Sequence, residues 1–210
     1  MTLLYHITHV SNLPGILADG GLWCDRIRHE RKLKATGIAH EHIKQRRANR
    51  RVMTLRGRVV AEGGTLADYV PFYFAPRSPM LFTIHRGNVE GFKGGQKDIV
   101  YLMSTVKRAV STERPWCFTE GHAEMAYTEY FDDLDDLAKL DWPVTEAQYW
   151  GGDDERRRRR QAEFLVHEFY PLTAIKSLAV MGIDARKAVE YYLLQAGLAL
   201  PVQLKPDWYY

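Results

Sequence analysis

The sequence lacks the features that would place it in a membrane or in an oxidising compartment. No apolar run approaches the ~20 residues that a membrane-spanning helix needs. The chain opens on a strand-like pattern instead of a basic segment followed by an apolar one, so we expect no signal peptide. Its two cysteines, Cys24 and Cys117, lie far apart and outside any CxxC motif, which indicates reduced thiols. We therefore expect a cytoplasmic protein without a membrane partner.

Several widespread signatures of catalysis and nucleotide binding are also missing. The chain contains no GxGxxG fingerprint, no P-loop and no GxSxG nucleophile elbow, so neither a Rossmann fold nor a Walker-type NTPase is predicted. The histidines do not suggest a metal site. His6 and His9 would point to opposite faces of a strand, and the spacing of His40 and His42 on a helix is no better for chelation. We expect no bound metal.

Charge is present in both signs but is segregated along the chain. Residues 25–58 hold twelve Lys or Arg against three Asp or Glu, whereas residues 113–155 hold thirteen acidic and two basic residues. The net charge of +3 conceals this asymmetry. A basic segment of this kind is typical of a surface that binds a polyanion, although an ordinary solvated face would show the same pattern. Nucleic acid is the partner that the charge pattern favours.

Hydrophobic periodicity predicts an α+β protein, with a central sheet flanked by helices. Strands and helices do not alternate as βαβ units, which argues against a parallel α/β sheet. Prolines 71, 76 and 79 restrict residues 68–81 to a short, edge-like strand with turns. The glycines of residues 54–67 indicate a loop. Strands are predicted at residues 3–9, 99–106 and 177–181, and helices after Ser11, within residues 39–52, at 121–140 and at 185–198.

The most informative stretch runs from five consecutive arginines, residues 156–160, directly into an apolar segment that ends at Pro171. Read with period two, this segment has apolar residues on both faces, which predicts a central strand. Glu163 stands at its entrance. Such a carboxylate can be an anchored group of a functional site, kept ionised by its arginine neighbours. It can equally be a residue that only neutralises or caps the arginine run.

Six segments, taken in order, resemble the bacterial DarT toxins. The resemblance implies one ADP-ribosyltransferase domain over residues 1–210, with a split central sheet, that uses NAD to modify thymidine in single-stranded DNA. It also implies a neutralising macrodomain antitoxin, DarG. One departure is the unbroken arginine run, where a mixed lysine/arginine stretch is expected, and it bears on DNA affinity. The segments are YHITH, NLPGIL, IKQRRANRR, DYVPFYFAPRSPML, RRQAEFLVHEF and the terminal DWYY.

The same resemblance assigns roles to individual residues. It implies that Glu163 is the catalytic glutamate and that residues 34–52 bind NAD. It also implies that residues 122–163 form the substrate region, a long loop that contacts DNA and ends at that glutamate. Arg47 occupies the position of a key arginine. Because Arg46, Arg50 and Arg51 lie close to it, the sequence leaves open which of them holds that position. The cofactor-binding residues implied are His6, Ile7, Thr8, Gly15, Leu22, Arg47 and Tyr73, and the DNA-contacting residues are Arg77, Met80, His122, Arg50 and Arg51.

The reaction explains why these residue types are needed. Cleaving the nicotinamide–ribose bond develops positive charge at C1′, which a carboxylate stabilises more in the transition state than in the ground state. Thymine would attack through N3, on its Watson–Crick edge, so the base must be unpaired. A guanidinium stays protonated, so we interpret Arg47 as stabilising the thymine anion.

Two other classes of function stay open from the sequence alone. One is an NAD-dependent ADP-ribosyl or phosphotransfer enzyme that acts on RNA or protein. The other is a nucleic-acid-binding module without catalysis, which would explain the basic segments but not a glutamate on the central strand.

Overall fold

The computed structural model describes residues 1–53 and 64–210. The predicted loop at 54–67 therefore lies largely outside the described residues. The strands of the described chain are β1 (Leu3–His9), β2 (Gly21–Trp23), β3 (Tyr69–Tyr73), β4 (Ile99–Thr105), β5 (Trp116–His122), β6 (Tyr130–Phe131), β7 (Ala162–His167), β8 (Phe169–Pro171), β9 (Ser177–Val180) and β10 (Val202–Leu204). The α-helices are α1 (Leu13–Ala18), α2 (Asp25–Glu30), α3 (Glu41–Asn49), α4 (Pro79–His85), α5 (Val106–Val110), α6 (Trp142–Thr145), α7 (Asp154–Arg159) and α8 (Ile183–Gln195).

A central eight-stranded sheet organises these elements, in the order β10-β9-β4-β1-β3-β7-β5-β6. Its pairs are antiparallel except β9 with β10, which are parallel. Strands β2 and β8 form a separate two-stranded sheet. Apolar residues from both faces of the large sheet enter separate buried clusters, as expected for a sheet covered on both sides. The predicted α+β class is confirmed, and β7 is a central strand.

The sheet is split between β1 and β3. Strand β3 pairs along its whole length with β7, from Tyr69 opposite His167 to Tyr73 opposite Glu163, but it meets β1 only where Tyr73 lies opposite Tyr5. The prediction of an edge-like strand here was wrong, because β3 lies inside the sheet. Pro71 is tolerated because the strands separate at this point, so its missing N–H interrupts little of a ladder with β1.

The predicted strands at 3–9, 99–106 and 177–181 are confirmed as β1, β4 and β9. The prediction of a helix at residues 121–140 was wrong. This stretch contains the end of β5, the turn 123–129, β6 and the 3-10 helix Leu134–Lys139. Apolar residues there fit a helical spacing, yet Tyr130 and Phe131 enter clusters on opposite sides of the sheet. Pairing with β5 thus outweighs the local preference for helix.

The arginine run forms most of α7 and ends just before β7. Asp153 caps this helix by accepting a hydrogen bond from the Arg156 amide, and Asp154 and Glu155 lie in its first turn. Acids at the N-terminus and arginines at the C-terminus both suit the helix dipole. None of the helices in the described part of the chain combines the length and the apolar character that a bilayer crossing requires.

Candidate active site

Glu163 lies at the start of β7, between β3 and β5, and only 2% of its surface is exposed to solvent. Its Oε2 accepts a hydrogen bond from Arg47 Nη1 at 3.0 Å, and its Oε1 accepts one from the Ala123 amide at 3.2 Å. Its own amide donates to Thr119 Oγ1 at 3.1 Å on β5. Backbone and side chain are therefore both held, which gives a carboxylate of fixed orientation.

Arg47 is the buried residue of α3, a helix without an apolar face. Burial alone would lower the pKa of its guanidinium, but the carboxylates of Glu163 and Asp25 and the hydrogen bond to Glu163 raise that pKa above its ordinary value. Its second terminal nitrogen, Nη2, is buried without a hydrogen-bond partner among the described residues. Glu163 and Arg47 thus form a buried ion pair that keeps an unused donor.

Tyr73 and His6 lie on the two strands that border the split. Tyr73 is on β3 opposite Glu163, and His6 is on β1. The Tyr73 hydroxyl donates to Met80 Sδ at 3.7 Å, and burial and then the Glu163 carboxylate raise its pKa, so it is neutral. Burial lowers the pKa of His6. Because the Pro71 carbonyl, 2.8 Å from Nδ1, can only accept, Nδ1 carries the proton and Nε2 is left as an acceptor.

The other predicted cofactor residues divide into two kinds. The side chains of Ile7 and Leu22 belong to apolar clusters, so only their backbones are available to a ligand. Thr8 is buried, and its Oγ1 accepts from Asn12 Nδ2 at 3.0 Å. Gly15 lies on α1 with open space where a Cβ would stand.

The arginines at the end of α3 face the turn that follows β5. Arg46 Nη1 donates to Glu124 at 3.0 Å, and Arg50 Nη2 donates to the carbonyls of Met125 and Ala126 at 3.3 and 2.9 Å. Arg51 is exposed. Two adjoining clefts, of about 430 and 470 Å³, lie between α3 and this turn and share Asn49 and Arg50. The structure thus brings three of the four clustered arginines to one groove and directs Arg47 to Glu163.

His122 ends β5 next to this groove, and burial lowers the pKa of its imidazole, while the charges of Glu163 and Arg47 act on it in opposite directions. Arg77, by contrast, is engaged elsewhere. It adopts a positive φ of 58°, its Nη1 donates to the Tyr209 carbonyl, and its guanidinium lies 4.3 Å from the centre of the Tyr210 ring. The C-terminal segment therefore holds the arginine that was predicted to contact DNA.

The arginines of the 156–160 run were expected to keep Glu163 ionised, but within the described residues none of them pairs with this carboxylate. The arginine that pairs with Glu163 is Arg47, which is distant in sequence. Arg158 pairs with Glu120 and Glu155, and Arg159 pairs with Glu155 and Asp141. Arg160 donates to backbone carbonyls, including that of Ala147 at 3.2 Å. Arg158, Arg159 and Arg160 therefore connect α7 to neighbouring segments of the chain, through Glu120, Asp141 and Ala147.

The sequence did not point to several groups that shape this site. The Ala123 amide and Thr119 fix Glu163, and Asp25 acts electrostatically on both Arg47 and His6. A backbone amide carries no sequence signal at all, whereas Asp25 was visible only as an acid in a basic segment. No group of three or more His, Cys, Asp or Glu side chains within residues 1–53 and 64–210 is placed to hold a metal ion.

Comparison with known proteins gives consistent matches over the whole chain. The family model for DarT, described as ssDNA thymidine ADP-ribosyltransferase, matches residues 5–210. A DNA ADP-ribosyl transferase of Thermus sp. (strain 2.9) is 38% identical over 211 residues, covering 100% of this chain and 96% of the relative. A more distant relative, from Thermosipho africanus (strain H17ap60334), is a DNA ADP-ribosyl transferase–DNA ADP-ribosyl glycohydrolase fusion protein. It is 27% identical over 165 residues, which are 78% of this chain and 38% of the fusion.

Solved structures agree with the family assignment. Thermus sp. 2.9 DarT in complex with ADP-ribosylated ssDNA has a TM-score of 0.89 at 37% identity, covering 100% of this chain and 96% of that one. The same protein in complex with NAD+ has a TM-score of 0.86 at 35% identity, covering 100% and 98%. The chain therefore belongs to the DarT family, the toxins that use NAD+ to ADP-ribosylate thymidine in single-stranded DNA.

Proposed function

We propose that Glu163 and Arg47 are the catalytic pair with which this enzyme transfers ADP-ribose from NAD+ to thymidine. Residues 34–52 form the NAD-binding element and residues 122–163 the substrate region of one catalytic domain over 1–210. The observation that carries the proposal is the buried contact of 3.0 Å between Arg47 Nη1 and Glu163 Oε2 on a central strand. A buried ion pair of this kind is suited to stabilise charge that develops on a reacting substrate.

On the donor side, NAD+ supplies a ribose carbon that carries nicotinamide as the leaving group. Glu163 stabilises the positive charge that develops at this carbon as nicotinamide departs with the bonding electrons. The Ala123 amide holds Oε1, so the carboxylate needs no reorientation during the reaction. Each carboxylate oxygen also keeps a lone pair with which to accept a ribose hydroxyl.

The polar atoms around the split are suited to hold the nicotinamide end of NAD+. His6 offers a neutral acceptor at Nε2, Thr8 is buried, and Tyr73 is half-buried. The backbones of Ile7 and Leu22 and the open surface at Gly15 complete the cofactor side. Fixing the ribose beside Glu163 lowers the entropy cost of reaching the transition state.

On the acceptor side, a new bond forms between thymine N3 and ribose C1′ as the bond from C1′ to nicotinamide breaks, and the N3 proton passes to solvent water. Arg47 remains protonated and stabilises the negative charge on the thymine ring, and its unpartnered Nη2 is the donor suited to this role. His122 and Met80 lie beside this acceptor position. Arg77 contributes to DNA contact through the turn that it closes with the C-terminal segment.

The strand of DNA is proposed to follow the groove between α3 and the turn after β5. Arg50 and Arg51 supply positive charge along it. Tyr127 is 61% exposed and lines the same groove, so it offers a stacking face for an unpaired base, an interaction of about 1–3 kcal/mol.

A macrodomain antitoxin of the DarG type is the proposed partner. The Thermosipho africanus relative joins a DNA ADP-ribosyl transferase to a DNA ADP-ribosyl glycohydrolase in one chain, and a separate protein would supply the second activity here. A cytoplasmic location is proposed because NAD+, single-stranded DNA and the free thiols of Cys24 and Cys117 coexist there.

The catalytic assignment is tested with Glu163→Gln, which keeps the shape of the side chain and removes its charge. Wild-type protein with NAD+ and a thymidine-containing oligonucleotide should give a product heavier by one ADP-ribose in mass spectrometry. Glu163→Gln should lower this turnover by about 10³-fold or more. Glu190→Gln, on the exposed face of α8, is the matched control. Wild-type activity in Glu163→Gln would remove this carboxylate from the mechanism.

A further inference from the structure

Arg158 is the buried residue of α7 and the most heavily bonded member of the arginine run. Its side chain is 8% exposed. Its Nε and Nη2 donate to the two oxygens of Glu155 at 2.8 and 2.7 Å, and its Nη1 donates to Glu120 at 2.5 Å and to Thr128 Oγ1 at 3.2 Å. One guanidinium thus joins α7 to both ends of the turn between β5 and β6.

The turn is closed tightly onto this guanidinium. Thr128 Oγ1 also donates to the His122 carbonyl at 2.7 Å, which ties the end of the turn to its beginning. The guanidinium carbon lies 5.1 Å from the centre of the Tyr127 ring. A Cβ at Gly121 would stand 2.9 Å from that same carbon, so only glycine leaves room for the arginine at this position.

The opposite side of the same turn faces the proposed catalytic pair and the DNA groove. It supplies the Ala123 amide to Glu163, the Glu124 carboxylate to Arg46 and two carbonyls to Arg50. The turn is therefore held between α3 on one side and Arg158 on the other. A change in length or direction at Arg158 would move the wall of the groove that faces α3.

We propose that Arg158 is a positioning residue that sets the acceptor side of the active site, by holding residues 122–130 at the separation from α3 that admits a DNA strand. The inference rests on the proposed role of residues 122–163 as the substrate region. Arginine is required because its planar fork reaches two carboxylates and a hydroxyl at once. Lysine keeps the charge but cannot make these bonds together.

The test compares Arg158→Lys with Arg157→Lys. Arg157 is the adjacent residue of α7, is exposed, and pairs with Asp154 in its own helix. In steady-state assays with NAD+ and a thymidine-containing oligonucleotide, Arg158→Lys should raise KM for the oligonucleotide about tenfold, with smaller changes in kcat and in KM for NAD+. Its melting temperature should fall, because lysine leaves part of the network of Glu120, Glu155 and Thr128 without a partner. Arg157→Lys should change none of these quantities.

A second variant guards against misfolding of the first. Thr128→Val removes the hydroxyl that joins Arg158 to the His122 carbonyl and nearly preserves volume, and it should raise the oligonucleotide KM in the same direction. Combined with Arg158→Lys it should add less than its separate effect, because both changes break one network.

Two results would overturn the proposal. The first is an oligonucleotide KM for Arg158→Lys equal to that of Arg157→Lys. The second is an equal loss of kcat, NAD+ affinity and melting temperature in Arg158→Lys and in Thr128→Val, because Arg158 would then be purely structural. Failure of the catalytic assignment would appear differently, as activity in Glu163→Gln whatever residue stands at 158.

Discussion

Two arginine-rich regions of this enzyme have similar sequences and different tasks. The first is the end of α3 with the residues after it, Arg46, Arg47, Arg50 and Arg51, and the second is α7 with Arg160. Four or five arginines lie within six residues in each region. By composition alone, either could be the surface that binds a nucleic acid.

The regions differ in what their guanidinium groups contact. Arg46 and Arg47 of α3 reach Glu124 and Glu163, and Arg50, just after the helix, reaches the carbonyls of residues 125 and 126. Arginines of α7 contact acids of their own first turn, Glu120 and Asp141. Within the acidic segment 113–155, Glu120, Asp141, Asp154 and Glu155 pair with the second region, and Glu124 pairs with Arg46 of the first.

Both regions contain buried arginine nitrogens that lack a hydrogen-bond partner within the described chain, so this feature does not distinguish them. Arg47 Nη2 and Arg160 Nη1 are both buried without a partner among the described residues. Arg160 is surrounded by the carbonyls of Pro76, Arg77 and Ala147 and burial lowers its pKa, whereas Arg47 faces the Glu163 carboxylate. The comparison teaches that the two regions differ in the groups that their guanidiniums contact, not in the density of positive charge.

The strongest test of this comparison makes the same change in both regions. Arg47→Lys should lower kcat about 10²- to 10³-fold, because the catalytic donor moves away from the position of the thymine anion. Arg159→Lys, which changes a partly exposed ion pair with Glu155 and Asp141, should leave kcat within about twofold. The measurement is turnover by mass spectrometry at saturating NAD+.

The same assay decides which of the clustered arginines is the key one. If Arg46→Lys or Arg51→Lys lowers kcat as strongly as Arg47→Lys, the special position of Arg47 beside Glu163 has no catalytic meaning. If Arg159→Lys is as damaging as Arg47→Lys, the comparison between the two regions is wrong.

A smaller effect should distinguish the two regions by how strongly the affinity for DNA depends on salt concentration. Arg51 is exposed and lines the groove beside Tyr127, so we expect it to contact a phosphate. Arg51→Ala should reduce the slope of log Kobs against log salt concentration by about 0.7, the value for one phosphate contact on a single strand. Arg157→Ala should leave the slope unchanged. Fluorescence anisotropy with a labelled oligonucleotide measures both, and equal slopes for the two variants would contradict the assignment.

The smallest expected effect is on stability at acid pH. Burial lowers the pKa of His122 below 6.5 in the folded protein, so the unfolded chain binds more protons, and the free energy of unfolding decreases as pH falls through 6.5. The pKa of Glu155 is lowered from 4.5 to about 2 by Arg158 and Arg159, so its contribution to stability is present above pH 4.5 and is lost progressively as pH falls from there toward 2. Between pH 7 and 5, His122→Asn should therefore lessen the loss of melting temperature.

Glu155→Gln is the matched control for this pH effect. It should melt at a lower temperature than wild type but show the same change in melting temperature between pH 7 and 5. A reduced pH dependence in Glu155→Gln, or an unchanged one in His122→Asn, would contradict the assignment of the acid sensitivity to the active-site side.

Much of the framework was predictable from local pattern. Period-two alternation identified β1 and β7, and the position of Glu163 at the start of β7 followed from it. The turn and short strand at 121–131 were not predictable, because Tyr130 and Phe131 satisfy helical spacing as well as pairing with β5. The edge-like prediction for β3 failed because the split beside Pro71 is a property of two strands, not of one.

The sequence by itself determined the strands β1, β4, β7 and β9, the basic segment and the candidate glutamate, since these depend on residue type and short-range spacing. Only the tertiary structure decided which arginine meets Glu163, that the Ala123 amide fixes the carboxylate, and that Arg158 and Arg159 of the five-arginine run pair with Glu120 and Asp141. The physical reason is that ion pairing and burial depend on distances of a few ångströms between residues far apart in sequence, and local pattern does not encode those distances.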